Sequence, residues 1–167
     1  MNNIAIKKLV ELAMDNLKAN HPSVPKYAIP KPKYTDKTSN GLTKCVIDWI
    51  NLNGFQAERV NSMGRQLDNR KTVTDIIGRQ RTVGSVTWIK GTEQIGTSDI
   101  SATIKGQSIK IEIKCKATGD RYQSKEQKAY QDKIEQAGGI YIIVRTFEEF
   151  YNWFNKFVNK KLQNGIK

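Results

Sequence analysis

An alternation of apolar and charged residues near the middle of the chain places the tightest constraint on how this sequence can fold. In the run SIKIEIKCKA, isoleucine or cysteine alternates with Lys110, Glu112, Lys114 and Lys116. Successive side chains of a strand point to opposite faces of a sheet, so the run predicts a strand with one apolar and one charged face. The preceding run SDISATI is also typical of a strand, and the KGQ between the two suits a tight turn. The sequence therefore predicts an antiparallel hairpin.

Elements on both sides of this hairpin indicate an α/β protein. Apolar spacing in SNGLTKCVIDWINLNG predicts a helix that ends at Gly54, and FQAERVN predicts a strand after it. A basic, glycine-containing segment up to residue 96 predicts an inserted hairpin or long loop. A capping box at Ser124 and Gln127 predicts a helix to about Ala137. The strand IYIIVRT and a terminal helix come after it. This order predicts a central mixed sheet flanked by helices, with the basic segment as an insert.

The chain length of 167 residues suits one compact domain with its own core. Residues 3–19 predict an N-terminal helix, and a linker rich in proline and lysine follows, so we divide the chain into residues 1–36 and a main domain over residues 37–167. Cys45 and Cys115 lie in apolar runs and are predicted to be buried, reduced thiols. The aromatic residues of the terminal helix recur at helical spacing, which favours core packing over the stacking of bases.

The charge of the chain indicates its class of partner. It has 28 lysines and arginines against 16 aspartates and glutamates, a formal net charge of +12, which favours a polyanion, nucleic acid first. No run approaches the roughly 20 apolar residues of a membrane span, so we expect a cytoplasmic protein without membrane association. Because His21 is the single histidine, catalysis by a pair of imidazoles and a zinc site rich in histidine are not expected. Hydrolytic chemistry would therefore use carboxylates, lysines and metal-bound water.

The predicted hairpin brings three charged side chains together. Glu112 and Lys114 point to the same face, and pairing through the turn would place Asp99 alongside them. Mg²⁺ is commonly held by one or two carboxylates and keeps several waters, so Asp99, Glu112 and the backbone carbonyl of Ile113 are candidate metal ligands. Lys114 would orient a nucleophile or stabilise developing negative charge, and phosphodiester hydrolysis uses all these groups. The alternative is a solvent-facing strand in which Glu112 forms only weak ion pairs.

Three segments, GTSDI, IEIK and QSKEQKAYQDKIEQAGGIYIIVRT, together resemble a known nuclease pattern. They are similar to the G-x-x-D, E-x-K, downstream glutamine and GG-strand signature of the PD-(D/E)XK nuclease superfamily, and within it of the VRR-NUC-like nucleases of phages and prophages. The resemblance covers roughly residues 39–153, and its most specific part is residues 96–144. It implies a restriction-endonuclease-like core of order αβββαβ. It also implies a Mg²⁺- or Mn²⁺-dependent DNA endonuclease of phage or mobile-element DNA processing, with no small-molecule cofactor beyond the metal.

The resemblance also assigns roles to individual residues. Asp99 and Glu112 take the positions of the metal-binding carboxylates, Lys114 that of the catalytic lysine, and Gln127 that of a glutamine near the active site. Gln127 keeps a second interpretation as part of the helix cap. Ser98 stands where the superfamily has a proline.

The first predicted helix departs from the family pattern. Many superfamily members carry a metal-binding glutamate there, whereas this helix offers only Asp48 or the polar Asn40 and Lys44. The departure leaves the number of metal ions open. It also keeps open, as an alternative function, a catalytically weak or inactive nucleic-acid-binding module. A third alternative is a structural or assembly protein whose charge serves solubility or partner docking.

Basic residues are predicted to hold DNA through its phosphates, with little sequence preference and steep salt dependence. These residues are Lys44, Arg59, Arg65, Arg79, Arg81, Lys116 and Arg121. One such site cuts one strand, so cleavage of both strands or of a junction would suggest a symmetric homodimer. The N-terminal helix and linker are the candidates for that contact.

Overall fold

A computed structural model of the chain describes residues 4–60, 64–89, 91, 94–120 and 122–164, and for residues 161–164 it describes the backbone only. The helices are α1 Ile4–Asn20, α2 Ser39–Leu52, α3 Lys125–Gln136 and α4 Phe147–Asn164. The strands are β1 Gln56–Arg59, β2 Arg65–Asp68, β3 Lys71–Thr74, β4 Gln80–Val83, β5 Val86–Ile89, β6 Ile100–Ile104, β7 Gln107–Ile113 and β8 Ile140–Val144.

The central sheet is mixed, and its strand order is β1-β6-β7-β8. β6 pairs antiparallel with β1 and with β7, as the predicted hairpin requires. β8 runs parallel to β7, so that Glu112 lies opposite Ile143. A parallel neighbour needs a crossover, and α3 supplies it. The predicted order of helices and strands around a mixed sheet is therefore confirmed.

The core lies on one face of this sheet. Ile109, Ile111 and Ile113 of β7 are all buried there, in the same cluster as the apolar residues of α2 and α4. The aromatic residues of α4 belong to this core, since Phe147 and Phe150 are at most 1 % exposed. Core packing of the aromatic stripe, predicted over base stacking, is confirmed.

The segment before α2 is held against the core by contacts with two buried thiols. Cys45 and Cys115 are buried and unpaired, as predicted, and they contact the backbone carbonyl oxygens of Thr35 and Asp36, at 3.5 and 3.4 Å. Helix α1 also buries Leu9 in the common core. One face of α1 and the end of the predicted linker thus pack onto the main domain.

A β-hairpin made of β2 to β5 is inserted between β1 and β6. We call residues 64–89 the arm. β3 pairs with β4 and β2 pairs with β5, both antiparallel, so the two strand pairs follow one another along a single hairpin. Every residue of these four strands is exposed. Of the two structures expected for the basic insert, the hairpin is the one observed.

The loop that leads into β6 lies very close to the start of α3. Gly96 has a φ of +86°, and a Cβ atom on it would lie 2.5 Å from the carbonyl carbon and oxygen of Glu126. Those are backbone atoms of a helix, which cannot move away at little cost. Glycine at position 96 therefore sets how closely this loop approaches α3.

Alanine substitutions at two glycines should distinguish the steric clash at Gly96 from the effect of a positive φ alone. Gly106, in the turn between β6 and β7, has a φ of +73°, but a Cβ there would meet nothing within 4 Å. Gly106→Ala is expected to lower the free energy of unfolding by about 1–2 kcal/mol. Gly96→Ala adds the clash and is expected to lose roughly 1–3 kcal/mol more. Urea denaturation followed by circular dichroism measures both, and equal losses would contradict the close approach.

Candidate active site

Asp99 lies at the point where the loop from the arm enters the central sheet. Its backbone carbonyl accepts a hydrogen bond from the backbone N–H of Val60, at 2.9 Å. Its carboxylate oxygen Oδ2 accepts a hydrogen bond from the backbone N–H of Ile113, at 2.8 Å. The second bond ties Asp99 to the end of β7, next to Glu112. The hairpin thus brings the two predicted carboxylates into one place.

Glu112 is buried on the face of the sheet that α3 covers. Its side chain is surrounded by donors, because Gln127 Nε2 donates to Oε1 and the Tyr141 hydroxyl donates to Oε2 at 3.4 Å. The Lys114 Nζ atom lies 3.5 Å from Oε1. Glu112 is 2 % exposed and Lys114 is 7 % exposed, so the interpretation of this strand as solvent-facing is wrong.

Burial changes the acidity of Glu112. Its pKa is raised from an ordinary 4.5 to about 7, first because the carboxylate is removed from water and second because the negative charge of Asp99 is near. The Lys114 ammonium opposes this shift in pKa and does not cancel it. The site therefore contains a carboxyl group that exchanges its proton near neutral pH.

Lys114 lies between two carboxylates. Besides Glu112, it contacts Asp120, whose two carboxylate oxygens each lie 3.2 Å from Nζ. Asp120 is in the loop after β7, and its side chain is half-exposed. A buried ammonium needs counter-charges, and these two carboxylates supply them. The position of Nζ is therefore fixed from both sides.

Gln127 occupies both of the roles that the sequence left open. Its Oε1 atom accepts from the backbone N–H of Ser124 at 2.9 Å, which completes the capping box of α3. Its Nε2 atom donates to Glu112. One amide group thus caps the helix with its oxygen and contacts the site with its nitrogen.

Sequence reasoning missed Asp120 and Tyr141. The alternation of Tyr141 and Ile143 in β8, together with a parallel pairing to β7, would have placed the tyrosine on the face of Glu112. The position of Asp120 carries no such signal, because it lies in a loop whose path local residue patterns do not define.

The acidic residue available on the first helix of the predicted domain is already engaged. Asp48 Oδ2 accepts from the Tyr34 hydroxyl at 2.8 Å and lies 2.6 Å from the Nζ atom of Lys44. Burial and the Asp48 contact raise the pKa of Tyr34. Asp48 is thus held by groups outside the cluster formed by Asp99, Glu112 and Lys114.

The predicted DNA-contacting residues fall into separate groups. Lys44 pairs with Asp48 on α2, and Arg59 is exposed on β1. Arg65, Arg79 and Arg81 are on the arm, and Arg121 lies outside the described residues. Lys116 lies beside the site, where an open depression of about 470 Å³ is lined by Lys114, Lys116, Asp120, Tyr122, Arg145 and Glu149.

The donors at the site suit a hard divalent cation that keeps much of its water. Asp99 and Glu112 supply carboxylate oxygens, while Ile113 is seen to contribute its N–H to Asp99. Within the described residues, no group of three or more histidine, cysteine, aspartate or glutamate side chains converges as a metal cage. Two carboxylates completed by water and substrate oxygens are the donor set that Mg²⁺ accepts. The ligand role of the Ile113 carbonyl stays a prediction.

Comparisons of the chain with protein-family models, with curated proteins and with solved structures give no match. Among the helices that the structure describes, none has the length and apolarity needed to cross a bilayer. Conclusions about function therefore depend on the site itself.

The raised pKa of Glu112 predicts a pH-dependent stability of the metal-free protein. Between the ordinary carboxyl pKa and about 7, the folded chain binds more protons at this residue than the unfolded chain does. The contribution of Glu112 to the free energy of unfolding is therefore fully present below pH 4.5 and falls as the pH rises to 7, by roughly 3 kcal/mol. Glu112→Gln should remove that part of the decline. Urea unfolding in EDTA across this pH range measures it.

The matched control is Glu58→Gln, which removes a carboxylate from an exposed position of β1. Its stability curve should keep the slope of the wild type. If the Glu112→Gln curve were instead parallel to the wild-type curve, Glu112 would not be the group that titrates.

Proposed function

We propose that this protein is a Mg²⁺- or Mn²⁺-dependent DNA endonuclease of the VRR-NUC-like type, with a restriction-endonuclease-like core. The observation that carries the proposal is the convergence of Asp99, Glu112 and Lys114. The two carboxylates are joined through the Ile113 backbone, and the ammonium lies 3.5 Å from Glu112. Burying charged groups is unfavourable without compensation, and strongly perturbed carboxyl pKa values such as that of Glu112 concentrate at functional sites, which supports a functional role.

Asp99 and Glu112 would hold the metal ion. When bound, the ion would polarise the phosphodiester and lower the pKa of water. Gln127 and Tyr141 keep the Glu112 carboxylate in one orientation through their hydrogen bonds. A fixed carboxylate loses little freedom when it binds a ligand, so these two residues are assigned positioning roles.

Lys114 is assigned to the reacting phosphate. Its ammonium is largely withdrawn from water and held by Glu112 and Asp120. A fixed positive charge in a poorly solvated place stabilises the negative charge that develops on phosphate oxygens more strongly than a mobile surface lysine does. Asp120 would keep the ammonium in place.

The net charge of +12 supports DNA as the substrate, held mainly through its phosphates. Cutting would then be structure-selective or nonspecific. We assign the protein to phage or mobile-element DNA processing in the cytoplasm of a bacterial or phage-infected cell. A homodimer would cut both strands, one at each site.

One observation favours a second candidate, a nucleic-acid-binding module with little or no catalysis. Asp48, the acidic residue of the first helix of the domain, is bound to Tyr34 and Lys44 and so leaves the cluster with two metal-binding carboxylates. Such a module would bind DNA with the same salt dependence but would release no product.

Asp99→Asn should abolish cleavage and leave the fold intact. The substitution removes a charge from the metal-binding pair while keeping an oxygen that can accept from Ile113, so the loss of nicking should be at least about 100-fold. Nicking of supercoiled plasmid and of branched DNA in Mg²⁺, Mn²⁺ or EDTA measures it, with circular dichroism as the check on folding.

Asp132→Asn is the matched control, since Asp132 is exposed on α3. It should cut like the wild type. Metal-independent cutting, or full activity of Asp99→Asn, would exclude the nuclease assignment. Salt-dependent binding by all three proteins without any product would favour the binding module.

A further inference from the structure

The tip of the arm exposes two large apolar side chains. Ile76 is fully exposed and Ile77 is 69 % exposed. Exposed isoleucines at the end of a protruding hairpin are unfavourable in water, and an isolated two-stranded hairpin is itself only marginally stable. Both features are typical of a segment that acquires a partner.

The outer half of the arm has two chemically different faces. Cross-strand partners lie on the same face, so Lys71 with Val83 and Val73 with Arg81 share one of them. The other face carries Thr72 with Thr82 and Thr74 with Gln80. All the charge of β3 and β4 therefore lies on one face, interleaved with valines.

The turn that presents the isoleucines is well ordered by hydrogen bonds. Asp75 Oδ1 accepts from the backbone N–H groups of Ile77 and Arg79, at 3.0 and 2.8 Å. The backbone of Asp75 also bonds with Arg79 and Gly78. The Asp75 carboxylate is thus engaged within the turn, and its second oxygen lies 3.9 Å from the Nε atom of Arg81. Ile76 and Ile77 are consequently presented on a defined turn.

The arm begins and ends beside the candidate site. Val60, which precedes the arm, and Asp99, which follows it, are hydrogen-bonded through their backbones at 2.9 Å. From residue 65 to residue 75, through β2 and β3, extended chain spans up to about 30 Å, close to one turn of duplex DNA. The arm is therefore long enough to contact a duplex bound at Asp99.

Charge distinguishes between the possible partners of the arm. Residues 64–89 contain five lysines and arginines and two aspartates, so two arms would repel each other. A polyanion meets the basic face favourably, and the apolar tip has a use there, because minor-groove proteins insert isoleucine or similar wedges between base pairs. Duplex DNA satisfies both the basic face and the apolar tip.

We propose that the arm grips duplex DNA with Lys71, Arg79 and Arg81 on the phosphates and inserts Ile76 and Ile77 as a wedge that unstacks a base step. This inference rests on the proposed function only in taking DNA as the partner. The wedge predicts that flexible or already distorted duplex is the preferred substrate, because unstacking a base step in such DNA requires less free energy.

The experiment uses the full chain in EDTA, so that no cutting occurs. A short duplex carries 2-aminopurine, whose fluorescence rises on unstacking, at a central TA step. The wild type should raise the fluorescence. Ile76→Ser with Ile77→Ser should remove the rise and leave the salt dependence of binding unchanged. Arg79→Ala with Arg81→Ala should weaken binding and make the slope of log Kobs against log salt shallower by about two.

The matched control is Thr72→Ala with Thr82→Ala, on the opposite face, which should behave like the wild type. An unchanged fluorescence with wild-type protein would overturn the wedge. So would sedimentation showing that the wild type is a dimer which the isoleucine variant alone disrupts, because the tip would then contact a second copy.

The wedge proposal and the nuclease proposal can be disproved separately. Plasmid nicking without unstacking would overturn the wedge and keep the nuclease. Unstacking by a chain that never cuts would support the wedge and exclude the nuclease.

Discussion

The fold is organised around the burial of a carboxylate next to another carboxylate. Glu112 is removed from water close to Asp99, which is unfavourable unless positive charge and hydrogen-bond donors are supplied in the same place. Lys114 directly after the same strand, Gln127 from α3 and Tyr141 from β8 supply them. The end of β7, the start of α3 and β8 therefore each contribute a group that compensates the buried carboxylate.

The path of the chain brings together the groups that compensate the buried carboxylates. A tight turn returns β7 alongside β6, so that Asp99 reaches the Ile113 backbone. The crossover through α3 then places a helix start over the same strand end. Gly96 allows the loop and the helix to come into contact. Asp99 and Ile113, 14 residues apart in sequence, therefore meet, as do the more distant Gly96 and Glu126, and both contacts involve backbone atoms.

Local patterns in the sequence were sufficient to predict most of the fold. The alternation through Glu112 and Lys114 defined a strand, and the Ser124–Gln127 capping box defined the start of α3, because both signals depend on neighbouring residues. The cluster of Asp99 with Glu112 followed from the same hairpin. Asp120 and Tyr141 were missed because a loop path and a parallel register are tertiary properties. The pairing of Asp48 with Tyr34 is of the same kind.

The arm differs from the rest of the chain in how it is attached. Because β1 and β6 pair directly, with Arg59 opposite Ile100, the sheet closes beneath the insertion and does not depend on what lies between these strands. The entropy of closing a longer or shorter loop changes slowly with its length. Arms of other lengths and tips could therefore be exchanged in evolution or by engineering without rebuilding the core, and the surface that the arm presents could change while the cluster of Asp99 and Glu112 is kept.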